Sequence, residues 1–299
     1  MIRYFLLALV FIHSTNAFAN DVFPKRIVVP FSAGGHTDII ARKLSFAMSK
    51  MITANVIVDN RPGAGGIIGA SIVAKSNADG NTFFISGMNQ VIVPDLFPNK
   101  FNDNPYKELR IVGSLASSPL ILVTNVNQNF NTISEFINFA KNNSKQVSFA
   151  STDIKGSSHL AGELLNQKLN MKMLNIPFNG NMPAINQILS GNDVSIAILA
   201  VASVFQYVKS DQLRGIALLA ENRMSILPHI PTIKELLISD KELFISPKQI
   251  IMVRSNTPTQ IVQSINKLIG NIMSQSEIKS GIESMGFSVN TSPTNLLEK

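Results

Sequence analysis

Four stretches of this chain share one chemical character. Ser32-Ala33-Gly34-Gly35-His36-Thr37, Gly63-Ala64-Gly65-Gly66, Gly156-Ser157-Ser158 and Asn179-Gly180-Asn181-Met182 are polar and glycine-bearing. Each stands between a short apolar run and a segment of helical periodicity. A loop that opens a helix in this way aims main-chain N–H groups, at the positive end of the helix, toward whatever lies beyond the strand ends. The chemistry on offer is anion capture, because a carboxylate is held there without a cationic side chain. Glycine after a strand is also ordinary turn chemistry, so the weight rests on the recurrence of the loops.

Other chemistries lack their residues. There is no cysteine, which removes thiol nucleophiles, thiolate zinc sites and disulfides. The histidines, His13, His36, His159 and His229, are scattered. Gly63-Ala64-Gly65 begins like a dinucleotide fingerprint, but Ile68 stands where its third glycine belongs. No phosphate-binding glycine–lysine loop, nucleophile elbow, paired metal histidines or acid–base carboxylate pair stands out. No catalytic residue, metal or cofactor is therefore expected. The formal charge of +7 fits the steering of a small anion and equally a solubility feature. Lysine and arginine are dispersed and aromatics make up 7%, so nucleic acid is not an expected partner.

Arg3, the apolar run from Tyr4 to Ile12 and the small-x-small triplet Ala17-Phe18-Ala19 have the layout of a secretory signal peptide. The run is too short to span a bilayer, which takes about 20 residues; a retained anchor is the competing reading. Cleavage is expected after Ala19, giving a periplasmic protein that loses Arg3 and keeps a charge of +6.

The elements that must hold the loops are legible. Apolar runs at 26–31, 55–58 and 82–86 alternate with helical patterns opening at Thr37-Asp38, with Thr37 as N-cap, and at Ile67. The alternation returns with strands at 120–123, 147–150, 174–178, 194–199 and 215–219. Thr132-x-x-Glu135 is a capping box, and Pro183 suits the first position of a helix. A last helix is expected over 259–273 and a short strand near 287–290. Strands alternating with helices predict an α/β fold with parallel sheets, in two units of similar size.

Several blocks resemble the Bug-type extracytoplasmic receptors of tripartite tricarboxylate transporters. They are Pro30-Phe31-Ser32-Ala33-Gly34-Gly35-His36-Thr37-Asp38; Asp59-Asn60-Arg61-Pro62-Gly63-Ala64-Gly65-Gly66 with Ile68-Gly69-Ala70; Ala78-Asp79-Gly80; Gly156-Ser157-Ser158-His159-Leu160-Ala161-Gly162-Glu163; Ile176-Pro177-Phe178-Asn179-Gly180; and Leu227-Pro228-His229-Ile230-Pro231-Thr232. They occur in order along essentially the whole mature chain. The resemblance implies a type II periplasmic-binding-protein fold, two α/β lobes around a ligand cleft. Lobe one is expected at 20–123 plus 222–299 and lobe two at 124–221.

It implies a ligand carboxylate on the Phe31, Ala33, Gly34, Gly35, Thr37 and Asp38 loop, flanked by Gly87, Met88 and Asn89. Gly156, Ser157, Ser158, Asn179 and Gly180 are implied from lobe two, and Asp193 near the cleft. Ala33 stands where proline is common, Phe178-Asn179 replaces a common tyrosine–lysine pair, and Met88, Asn89 and Gln90 replace a small polar stretch. The implied partners are a small organic acid and a membrane permease, with the receptor a monomer; a sensory protein docking on a kinase and an exported hydrolase are the alternatives. Thr37, Ser157 and Ser158 serve equally as helix caps, Asp38 as a helix-start charge, Arg61 as a loop anchor, His159 as a structural hydrogen-bond former and His229 as surface loop.

Overall fold

The computed structural model describes residues 25–91, 104–143, 147–152, 156–178, 180–236 and 241–289. The expected signal segment lies outside them. Two sheets form. The first contains β1 (Lys25–Val29), β2 (Val56–Asn60), β3 (Thr82–Gly87), β4 (Leu109–Ser117), β10 (Lys248–Arg254) and β11 (Ser288–Val289), in the order β11-β4-β10-β3-β1-β2. The second contains β5 (Leu120–Asn125), β6 (Ser148–Ser151), β7 (Leu174–Pro177), β8 (Ile196–Ala200) and β9 (Leu213–Leu219), in the order β7-β6-β8-β5-β9. The helices are α1 (His36–Ile52), α2 (Ile67–Ala74), α3 (Ile133–Asn142), α4 (Ser157–Leu169), α5 (Asn181–Ser190), α6 (Val201–Lys209), α7 (Thr259–Met273) and α8 (Ser276–Glu283).

Alternation along each strand decides which helices cover which face. Ile27, Val29, Phe83, Ile85, Ile251 and Val253 pack with α1, α7 and α8. Their neighbours Val28, Phe84, Ile250 and Met252 point the other way, against Ala70 and Val73 of α2 and Tyr106. In the second sheet Leu120, Leu122, Ile196 and Ile198 meet α3 and α4, while Ile121, Val123, Ala197 and Leu199 meet α5 and α6. Gly162 lets α4 lie against β6: a Cβ there would stand 2.1 Å from the Phe149 ring.

Both sheets are mixed rather than parallel. β2, β1 and β3 run parallel, as do β7, β6 and β8. β10, however, is antiparallel to both β3 and β4, and β5 is antiparallel to β8 and β9. The cause is the exchange of chain between units. β4 leaves the first sheet and becomes β5 across Ser118-Pro119, and the chain returns through 246–247 into β10. The crossings therefore fall there rather than at 123 and 222. Residues after 222 stay on the second unit because their apolar side chains fill its two faces: Leu227 and Ile230 on one, Ile233 and Leu243 on the other.

Local expectations differ from the structure at two helix starts. α1 begins at His36 with Gly35 as N-cap, two residues before the expected cap Thr37, whose hydroxyl is engaged elsewhere. Pro183 is the third residue of α5, not the first; it is still in the turn where a missing N–H costs nothing. The Thr132 cap forms, its hydroxyl accepting from Glu135 N at 3.2 Å. Glu135 reaches back to Asn131 N instead of Thr132 N.

Candidate functional site

Between the lobes lies a cavity of about 330 Å³. Five strand-to-helix junctions reach it: β1 to α1, β3 to the helical residues 88–91, β6 to α4, β7 to α5, and β8 to α6. Ligands of open α/β sheets bind at this carboxyl edge. From lobe one come Phe31, Gly35, His36, Thr37, Asn89, Gln90, Gln249 and Phe287. From lobe two come Thr152, Ser157, Ser158, Asn181, Leu199, Ala200 and Ser203, and Ser118 and Pro247 belong to the crossings. Among the described residues the lining holds no aspartate, glutamate, lysine or arginine.

Three of the helices that open on the cavity, α1, α4 and α5, start from glycine N-caps, Gly35, Gly156 and Gly180, with no side-chain cap bond. Their first-turn N–H groups have no partner within the helix, and the dipoles add partial positive charge at the same end. α6 is different. Its first N–H groups go to Pro119 O at 2.9 Å and to Ser118 Oγ at 3.0 Å, so it serves the crossing.

The polar side chains are held in place. Thr37 Oγ1 donates to Gln249 Oε1 at 3.1 Å. Ser158 Oγ accepts from Thr152 N at 2.9 Å. His36 sets its ring edge against Phe287 at 5.7 Å, and burial lowers its pKa from the ordinary value. Behind this wall Asp38, buried, accepts from Gly34 N at 2.9 Å, Arg42 Nε at 2.9 Å and Asn60 Nδ2 at 2.9 Å. Burial pushes its carboxyl up, but those hydrogen bonds outweigh it and hold the group below the usual carboxylate range.

Six of the residues expected at the site stand in the cavity wall: Phe31, Gly35, Thr37, Asn89, Ser157 and Ser158. Eight more are described outside that lining. Asp38 and the Gly34 N–H are committed to each other, and Ala33 is an exposed loop residue. Gly87 is a strand residue paired with Gln249, and Met88 packs into the lobe-one core. Gly156 caps α4, and the Gly180 N–H donates to Thr152 O and Phe178 O. Asp193 sits before β8, at the far end of the sheet from the cavity, where its carbonyl accepts from Ser148 Oγ at 2.7 Å. It is placed there by the turn that joins α5 to β8. Asn179 lies outside the described residues.

Arg61 forms an ion pair with Asp59 at 2.9 Å, His159 stands 3.7 Å from Glu163, and His229 is exposed. Gln249, Ser118 and Ser203 carry no signal in the sequence because β10, the crossings and α6 are not marked by its periodicity; Thr152 follows β6, and nothing in its residue type points to the cavity. His36 and Asn181 lay inside quoted loops, and their only signal was adjacency to the glycines. Among the described residues no group of three or more His, Asp or Glu is placed to hold a metal, and no helix is long and apolar enough to cross a membrane.

The model of the TctC family, the tripartite tricarboxylate transporter family receptors, matches residues 40–296. Protein BugT of Bordetella pertussis is 30% identical over 272 residues, which cover 89% of this chain and 82% of BugT. The solved structure of periplasmic binding protein BugD aligns with a TM-score of 0.72 at 28% identity, over 91% of this chain and 90% of that one. MatC from Rhodopseudomonas palustris, solved with bound malate, aligns with a TM-score of 0.72 at 24% identity, over 92% and 93%. A family model covering most of the chain, over a fold of two mixed α/β lobes, makes this protein a member of the TctC receptors of tripartite tricarboxylate transporters, periplasmic solute-binding proteins and not enzymes.

Proposed function

We propose that this protein captures a small carboxylate in the cavity between its lobes and presents the closed, loaded form to a membrane permease after cleavage behind Ala19. The observation that carries the reading is the cavity wall. Helix starts of both lobes without side-chain caps open on it, with hydroxyl and amide side chains between them and no ionised side chain among the described residues. Such a wall meets a carboxylate with fixed donors and leaves no buried counter-charge when empty. Contacts from both lobes are what a ligand needs to favour closure, since only differential affinity for the closed state shifts the equilibrium. The malate held by MatC is an acid of the proposed class.

A thermal-shift screen against mono-, di- and tricarboxylates tests the reading. An acid at about 100 times its dissociation constant adds about 2.7 kcal/mol of stability, and the radius of gyration should fall on binding. Stability and radius unchanged with every acid would remove the carboxylate assignment.

A further inference from the structure

His36 has no counterpart in the cavity. It is the one ionisable side chain in the described wall. It is half-buried, it rests edge-on against Phe287, and no hydrogen bond ties its ring nitrogens to another described residue. It is also the first residue of α1, where the helix dipole disfavours an added positive charge. We propose that His36 reads the charge of the ligand, staying neutral beside a singly charged acid and taking up a proton when a doubly charged acid fills the cavity. The proposal rests on the carboxylate reading above.

The argument is one of charge matching. One carboxylate is satisfied by main-chain N–H groups and hydroxyls. A second brings another negative charge into a space whose described wall carries no lysine or arginine, and the group within that wall able to answer it is His36. The neighbouring charges are occupied. Asp38 is held by Gly34, Arg42 and Asn60. On α8, Glu283 stands 4.0 Å from Lys279, and with Arg223 it lines a separate pocket on the other side of Phe287. Burial keeps the imidazole neutral in the empty protein at neutral pH, and an adjacent carboxylate favours the charged form.

The sign follows from linkage. The His36 pKa is higher in the loaded form than in the empty one. Affinity for a diacid therefore rises by up to about tenfold per pH unit as the pH falls from the loaded value to the empty value, and is level on either side. Affinity for a monoacid stays flat.

Calorimetry on the full mature protein decides it, using malate, succinate, adipate and butyrate between pH 7.5 and 5.5. Two buffers of different protonation heat count the protons taken up. The wild type should take up close to one proton near pH 6 with the diacids and none with butyrate. His36→Asn should bind the diacids with no uptake, only the proton release that comes from the ligand's own titration, and the wild-type count is taken relative to it. Where that variant binds too weakly, NMR titration of the His36 ring in the wild type, with and without malate, carries the decision, and malate must raise its midpoint. Equal proton counts in wild type and variant, uptake with butyrate, or an unmoved midpoint would overturn the proposal and leave the receptor reading standing. Failure of every acid to bind the wild type would remove both.

Discussion

At the residue scale the first ligand loop is braced by a buried carboxylate rather than used directly. Asp38 ties Gly34, Arg42 and Asn60 into one cluster. Its lowered pKa has a signed consequence. The stability it contributes is full above about pH 4, its unfolded value, and is lost as the pH falls through the lower folded value. Asp38→Asn should cost about 1–3 kcal/mol at pH 7, the cost of leaving a buried donor unpaired. The gap to wild type should narrow at pH 3, and urea unfolding at the two pH values measures both. The sequence offered Thr37 and Asp38 as ligand contacts, helix formers or both. Their chemistry was legible, but which partner each side chain takes depends on Gln249 and Asn60, 212 and 22 residues away, and no local pattern carries that.

At the element scale the site is a set of helix starts. Proline at the first helical position keeps the helix and deletes one N–H. Ser157 holds that position in α4, and Gly156 before it is extended (φ −80°, ψ −179°), which a following proline tolerates. Ser157→Pro should therefore leave the unliganded melting temperature nearly unchanged and weaken carboxylate binding by about tenfold or more, the worth of a hydrogen bond to a charged group. Titration calorimetry beside a melting curve separates the two effects. Most elements were readable from apolar runs and turn residues, and Thr259–Met273 matches its expected span. The misses have physical causes. Ile196 to Val201 is an unbroken apolar run in which strand ends and helix begins, and periodicity cannot mark that junction. β4 carries Gly113, Ser114 and Ser117 inside it, residues that read as turn. Without β4 and β10 the first sheet reads as wholly parallel, and in the second nothing in the runs at 120–123, 194–199 and 215–219 marks that β5 opposes its neighbours.

At the scale of the whole molecule the lobes meet at a serine hydroxyl that ties three stretches of main chain together. Ser118 Oγ donates to Gly286 O at 2.9 Å and accepts from Ala202 N at 3.0 Å, joining the crossing, the C-terminal segment and α6. Gly286 has φ +87°, and a Cβ there would stand 2.8 Å from Ala202 Cα, backbone that cannot give way. Gly286→Ala should lose about 1–2 kcal/mol from the left-handed conformation alone. It should also change ligand affinity by shifting the balance of open and closed forms, which scattering with and without ligand reports. The routing of the chain has a consequence for birth as well as for use. The second lobe is drawn from one continuous stretch, whereas the first needs β10, placed between β3 and β4, from beyond residue 247. A chain threaded N-terminus first across a membrane can finish the second lobe while β3 of the first still shows an open edge and β4, whose strand partners are β10 and β11, has no strand beside it. While those unpaired strands wait, a periplasmic chaperone or a stray β-strand would find this protein most receptive.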